Sequence, residues 1–128
     1  MRFLLDTHAL LWWVLDSESL SRIARKKIAE FGNEIFVSAA TAWEVSTKFR
    51  LGKLPEAEPF ATRFDESLLE LGFIGLPISV DHAQRAGLLP GSHKDPFDRL
   101  LIAQAQAENL VLVSNERVFD GYGVRRLW

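Results

Sequence analysis

Phe3-Leu4-Leu5-Asp6-Thr7-His8-Ala9-Leu10-Leu11-Trp12 is a short apolar run that ends in an acid and a hydroxyl residue, then passes at once into a helical pattern carried by Leu10, Leu11 and Val14. The same strand-then-helix figure returns along the chain. Ile35-Phe36-Val37 reads as a buried strand and is followed by a helix over 39–51 closed by Gly52. Residues 21–31 form an amphipathic helix on Ile23, Ala24, Ile28 and Phe31, stopped by Gly32. A helix over 59–71 ends at Gly72, a short strand lies within 74–78 and is interrupted by Pro77, and a helix follows near 80–88. The spacing predicts its longest helix over 96–108, then a strand at Val111-Leu112-Val113 and a last short one over 124–127. Strands that alternate with helices and run unbroken in apolar residues imply a parallel sheet covered on both faces, an α/β fold. No repeat, low-complexity tract or long linker divides the chain, so residues 1–128 are read as one domain.

Composition narrows the function. The 128 residues are 48% hydrophobic and 25% charged, which is ordinary for a globular protein, and a chain this long buries roughly 68% of its unfolded surface without needing staples. With no Cys, disulfide scaffolds, thiol nucleophiles, iron–sulfur clusters and thiolate zinc sites are excluded. Met1-Arg2-Phe3-Leu4-Leu5-Asp6-Thr7-His8 is too polar for the apolar core of a signal peptide, and no run of about 18 apolar residues exists, so a membrane span is not expected and a cytoplasmic location is. Fifteen Lys and Arg against seventeen Asp and Glu give a net charge of −2, which excludes nucleic-acid binding by bulk attraction. Local positive patches remain at Arg22-Arg25-Lys26-Lys27, Lys48-Arg50-Lys53 and Arg125-Arg126; the first reads as a solvated helix face.

The acids carry the chemistry. Ligands of an open parallel sheet sit beyond the carboxyl ends of its strands. Asp6 follows the first strand, Glu44 lies early in the helix after the second, Asp98 starts a helix, and Glu116 follows Val111–Val113. No Gly-rich phosphate loop, G-x-S-x-G elbow or H-E-x-x-H competes for the role. Two carboxylates about 5 Å apart repel by roughly 3 kcal/mol at an effective dielectric of 20, so a cluster of four calls for a cation. An all-oxygen donor set selects Mg2+ or Mn2+ over zinc, and such an ion orients water and stabilises charge on a phosphodiester.

Each acid also has a purely structural use. Asp95-Pro96-Phe97-Asp98 fits a helix start with Asp95 as N-cap and Asp98 in a capping box, and Thr41-Ala42-Trp43-Glu44 fits a capping box too, with Glu44 in reach of Lys48 one turn on. Asp6 has the position of a cap for the first helix, and Glu116 that of a charge complementing a helix dipole. His8, His82 and His93 have no ligand spacing among themselves and receive no role.

Taken together, Phe3 to Trp12, Ser38-Ala39-Ala40-Thr41-Ala42-Trp43-Glu44 with Lys48 and Leu51-Gly52-Lys53-Leu54, and His93-Lys94-Asp95-Pro96-Phe97-Asp98-Arg99-Leu100-Leu101-Ile102-Ala103-Gln104-Ala105 resemble the PIN-domain ribonucleases, and among them the VapC-type toxins of type II toxin–antitoxin modules. The resemblance spans essentially the whole chain. It implies a Rossmann-like α/β/α sandwich with a central parallel sheet, and an Mg2+- or Mn2+-dependent endoribonuclease site on Asp6, Glu44, Asp98 and a fourth acid, with Thr7, Asp95 and Ser114 supporting it. Leu112-Val113-Ser114-Asn115-Glu116 departs from the commoner pattern, which ends in Asp, and puts Glu116 in the fourth position. The resemblance further implies a homodimer and an antitoxin partner through which alone DNA is contacted; near Trp12 and Trp13, relatives form part of the antitoxin groove, while core packing is the default reading of both residues.

The expectation is therefore an RNA hydrolase in which Asp6 and Asp98, completed by Glu44 and Glu116, hold one or two divalent ions that activate water for in-line attack on phosphorus, leaving 5′-phosphate and 3′-hydroxyl ends. Lys48, Arg50 and Lys53 are the expected RNA contacts. Two alternatives stand beside it: an RNA-processing PIN nuclease without an antitoxin, and a catalytically weak protein-binding module.

Overall fold

The computed structural model describes residues 1–128. Five strands, β1 (Arg2–Leu5), β2 (Glu34–Ser38), β3 (Ile74–Leu76), β4 (Val111–Val113) and β5 (Arg126–Leu127), form one parallel sheet in the order β3-β2-β1-β4-β5. The register sets Leu4 of β1 beside Phe36 of β2 and Leu112 of β4. Successive residues of a strand face opposite sides. Phe3, Leu5, Ile35, Val37, Val111 and Val113 accordingly pack with Leu10, Ala24 and Ile28 on one face. Leu4, Phe36 and Leu112 pack with Leu101, Ile102, Ala105 and Phe119 on the other. Burial on both faces is why these strands read as unbroken apolar runs, and the result is the expected α/β/α sandwich.

The helices are α1 (Thr7–Val14), α2 (Arg22–Ala29), α3 (Ala39–Arg50), α4 (Phe64–Leu71), α5 (Val80–Leu88) and α6 (Pro96–Glu108). Their starts have local causes. Asp6, Ser21, Ser38, Ser79 and Asp95 each accept a backbone N–H of the first turn. Trp12 and Trp13 are partly buried against the core, Trp13 tilted on Phe73, in line with the packing reading.

Several boundaries differ from the expected ones. The helix expected over 59–71 is a 3-10 turn at Phe60–Thr62 and then α4, because Arg63 leaves helical geometry (φ −137°, ψ 50°) between them. The helix expected over 21–31 stops at Ala29, where Glu30 turns extended and leaves Phe31 fully exposed. β3 ends before Pro77, which has no N–H for the ladder, and β5 is confined to two residues. Thr41 is not a cap: α3 begins at Ala39 under Ser38, so Glu44 lies in the second turn and its carboxylate is free of capping duty.

The parallel order puts every strand's carboxyl end at one edge, and the crossover helices, running antiparallel to the strands, bring their N-termini there. Asp6, Ser38 and Ser114 end β1, β2 and β4, and Asp95 opens α6 at the same edge.

Candidate active site

Asp6, Thr7, His8, Glu44, Lys48, Asp95, Asp98 and Glu116 line one cleft of about 90 Å³ with no hydrophobic residue in its wall. All four acids singled out in the sequence are present. The Asp6 N–H donates to the Val113 carbonyl (3.1 Å), extending the β1–β4 ladder by one residue. Its Oδ1 accepts the Ala9 N–H (2.8 Å), so Asp6 caps α1 and lines the cleft at once. Burial pushes the Asp6 carboxyl from its ordinary 3.8 up to about 6, against the pull of hydrogen bonds from Ser114 and the Ala9 amide and of His8; the Glu116 charge adds to the rise.

Asp98 does not close a capping box. Asp95 Oδ1 accepts the N–H groups of Phe97 (2.9 Å) and Asp98 (3.1 Å) as a simple cap, while Asp98 Oδ2 lies 2.7 Å from His93 Nε2. Burial raises Asp98 to about 6 as well; Asp95 and Glu116 push the same way, and His93 opposes them. An edge-to-face contact between Trp43 and Phe97, with ring centroids 5.1 Å apart, holds the α3 and α6 segments that carry Glu44 and Asp98 on either side of the cleft.

Glu44 is engaged on both oxygens: Thr7 Oγ1 donates to Oε1 and Lys48 Nζ to Oε2, each at 2.6 Å. Thr7 thus lines the cleft as one partner of Glu44, and Lys48 reaches the cleft as the other, whereas Arg50 and Lys53 are exposed at and beyond the end of α3. Ser114 is fully buried behind the cleft; its Oγ accepts the Glu116 N–H (3.0 Å), and Arg126 Nη1 fixes its carbonyl (2.9 Å). Glu116 precedes the 3-10 turn Arg117–Tyr122 and makes no side-chain cap bond there. Its Oε1 stands 3.7 Å from His8 Nδ1.

Sequence reasoning missed two histidines. His93 sits on Asp98, and His8 faces Glu116 while stacking on Trp12 at 5.3 Å. The available signal was adjacency: each is two residues from an acid of the site, His8 from Asp6 and His93 from Asp95. His82 lies elsewhere, its Nδ1 accepting the Ser79 N–H at the start of α5.

As the side chains stand, no three Asp, Glu or His groups are arranged to hold an ion between them. A closed tetrahedral zinc cage is thus not what this cleft offers. Mg2+ keeps several of its waters and takes one or two protein carboxylates plus substrate phosphate, and Asp6 and Asp98 in this open cleft fit that chemistry. What the cleft can do unaided is concentrate negative charge in a partly dry space at the mouth of a rigid sheet.

The fold and the sequence agree with known proteins. The protein is similar to VapBC2 from Rickettsia felis bound to a DNA fragment from their promoter (TM-score 0.74, 20% identity, covering 100% of this chain and 99% of that one). It is likewise similar to a toxin–antitoxin complex from Klebsiella pneumoniae (TM-score 0.67, 20% identity, 98% and 96% covered). At such identities the likeness is one of fold. In sequence the chain is 30% identical to ribonuclease VapC22 of Mycobacterium tuberculosis over 115 residues, 89% of this chain and 86% of the relative. It is 42% identical to ribonuclease VapC16 of the same organism over 62 residues, which are 48% of this chain and 43% of that relative. The family model of the PIN domain matches residues 3–124, and with the sheet order and the acid cleft already in place, this chain belongs to the PIN-domain family.

Proposed function

We propose that the chain is an endoribonuclease, the toxin of a type II toxin–antitoxin module, working with Mg2+ or Mn2+ at the cleft of Asp6, Asp98, Glu116 and Glu44. The observation that carries this reading is the single cleft lined by Asp6, Glu44, Asp95, Asp98 and Glu116; burial raises both the buried Asp6 and the half-buried Asp98 to about 6, within the field of Glu116, so the cleft is electrostatically unfinished until a cation enters it. Its support from relatives is that VapC16 and VapC22 are named ribonucleases and that the similar folds come from toxin–antitoxin complexes.

Asp6 and Asp98 are the residues that would hold the ion, with Glu116 beside both. When bound, the ion supplies charge stabilisation at the phosphodiester and makes nearby water more acidic. The chain's own residues do the rest. Asp6 is locked by the ladder and the α1 cap, Ser114 orients the segment that carries Glu116, and the Thr7–Glu44–Lys48 chain fixes a neutralised wall opposite. Arg50 and Lys53, exposed and nearby in sequence, are assigned to the RNA backbone, and Lys48 to holding Glu44. No helix of the structure is long and apolar enough to cross a membrane. A homodimer and an antitoxin seated on the toxin, with DNA contacted through the antitoxin, complete the reading.

Its test is expression in a bacterial host. The chain alone arrests growth, and co-expression of the product of the neighbouring gene restores growth through a complex that co-purifies. An active, soluble protein that is harmless when expressed alone overturns the toxin assignment in favour of an RNA-processing PIN nuclease.

A further inference from the structure

A second cavity, of about 640 Å³, is lined by the two segments that adjoin the acid cleft in sequence and meets it at the His93–Asp98 contact. One wall is residues 89–94, which lead directly into Asp95 and Asp98; the other holds Val118, Gly121 and Tyr122, in the turn that follows Glu116; Gln106 of α6 completes the lining. His93 links the two spaces: it lines the cavity, while its Nε2 reaches Asp98 of the cleft. The electrostatics change sharply across it. Five acids line the cleft, and none lines the cavity, where His93 and an exposed Lys94 stand instead.

The cavity wall is built, not a loose loop. Tyr122 Oη accepts the His93 N–H (3.2 Å), and the Gln106 amide donates to the Tyr122 carbonyl (2.9 Å). The Arg99 guanidinium donates to the carbonyls of Ala86, Leu89 and His93, tying the 89–94 segment to α5 and α6. At Gly91, φ is +97° and a Cβ would meet the Tyr122 hydroxyl oxygen at 2.6 Å, so only glycine lets the two walls approach this closely.

We infer that this cavity is the subsite for the nucleotide adjoining the scissile phosphate of single-stranded RNA, an inference that rests on the ribonuclease reading above. A strand whose phosphodiester lies over Asp6 and Asp98 runs past His93 into a space of the size that binds small organic ligands. Lys94 meets its next phosphate. Leu89, Val118 and Tyr122 offer apolar surface to the base and sugar, and the polar edge of Gln106 offers hydrogen bonds to the base. Only an unpaired strand can present a base this way, because a duplex keeps its bases stacked.

The test is equilibrium binding of a labelled single-stranded oligoribonucleotide to the full chain in EDTA, where turnover is stopped, for the unsubstituted protein, Lys94→Gln and Gly121→Phe. A Cβ at Gly121 meets nothing within 4 Å, so the larger side chain enters open space. Lys94→Gln lowers the log–log salt slope of binding by about 0.7, the share of one phosphate contact on a single strand. Gly121→Phe weakens binding about tenfold, the scale of losing one base contact. Both variants keep the unsubstituted chain's Mn2+ affinity by calorimetry; Lys94→Gln, an exposed substitution, carries the test should Gly121→Phe fold poorly. Unchanged affinity and slope overturn the subsite and leave the acid cleft's role standing. Loss of Mn2+ affinity together with RNA affinity also overturns it, because the effect then passes through the cleft. If the unsubstituted chain binds no RNA in EDTA, the subsite falls; if it also cleaves none when Mg2+ or Mn2+ is restored, the ribonuclease reading falls with it.

Discussion

Asp6→Asn and Asp98→Asn each reduce RNA cleavage by the purified chain to background while leaving it folded. Both substitutions keep the shape of the side chain and remove the charge that draws a cation into the cleft. Asn at position 6 still caps α1, since its carbonyl oxygen accepts the Ala9 N–H as Asp6 Oδ1 does. Loss of a group that stabilises transition-state charge costs roughly 10²- to 10³-fold in turnover, and removing a metal-holding carboxylate falls at or beyond that scale. Glu116→Gln has a smaller effect, about 10- to 100-fold on metal affinity, because its carboxylate is partly exposed and shapes the field of Asp6 and Asp98 from beside them. The graded series is read by cleavage at limiting Mg2+. Near-normal activity of Asp6→Asn or Asp98→Asn, prepared free of the unsubstituted protein, removes that residue from the site; a Glu116→Gln protein that cleaves normally at limiting Mg2+ removes Glu116.

Without metal, the protein gains stability as the pH falls from 7.5 to 5, and with saturating Mg2+ that gain is lost. Asp6 is raised from 3.8 to about 6 in the folded state, chiefly by burial. A carboxyl whose folded pKa lies above its unfolded value binds its proton more tightly when folded, so its contribution is complete below about 4 and is lost as the pH rises through about 6. For a shift of about 2 units on so buried a group, the effect is on the order of 3 kcal/mol at most. Asp98 acts in the same direction but is more exposed, so screening makes its share smaller. The exposed Glu30 and Asp120, held below the usual carboxylate range by Asn33 and Arg126, stay ionised over this window and do not reverse the sign. A cation in the cleft favours the ionised carboxylates instead and releases their protons on binding. Thermal midpoints in EDTA and in Mg2+ at pH 7.5 and 5, for the unsubstituted chain and Asp6→Asn, decide the matter: a pH-dependent gain that persists unchanged in Asp6→Asn contradicts the assignment.

The sandwich was legible because β1, β2 and β4 are buried on both faces, which leaves no polar residue in the runs Phe3–Leu5, Ile35–Val37 and Val111–Val113, and because α1 and α6 begin at the capping residues Asp6 and Asp95. Residues 55–63 were not legible in the same way. Two short 3-10 turns carry no hydrophobic period, and the break at Arg63 is a backbone choice that no residue type demands. That Asp6, Asp98, Glu44 and Glu116 fall at one edge could be read from strand ends and the first turns of helices, since a parallel sheet fixes where those lie, while their joint use as a site came from the family resemblance. Pairings between distant segments could not. Glu44 meets Thr7 across 37 residues of sequence, a contact set by the packing of α1 on α3, and together with the Lys48 pair that the local spacing did offer it occupies both carboxylate oxygens. The partnership of His93 with Asp98 depends on the course of the 89–94 segment, which Arg99 and Tyr122 impose and no local pattern announces.

The most direct measurement is cleavage of single-stranded RNA by metal-stripped protein, with the chemistry of the product ends determined before and after Mg2+ or Mn2+ is restored. A cleft of ionised carboxylates with no side-chain nucleophile predicts no cleavage in EDTA, cleavage on restoring the ion, and 5′-phosphate with 3′-hydroxyl ends, the mark of attack by water. Undiminished cleavage in EDTA, or 2′,3′-cyclic phosphate ends that require attack by the RNA's own 2′-hydroxyl, contradicts the account.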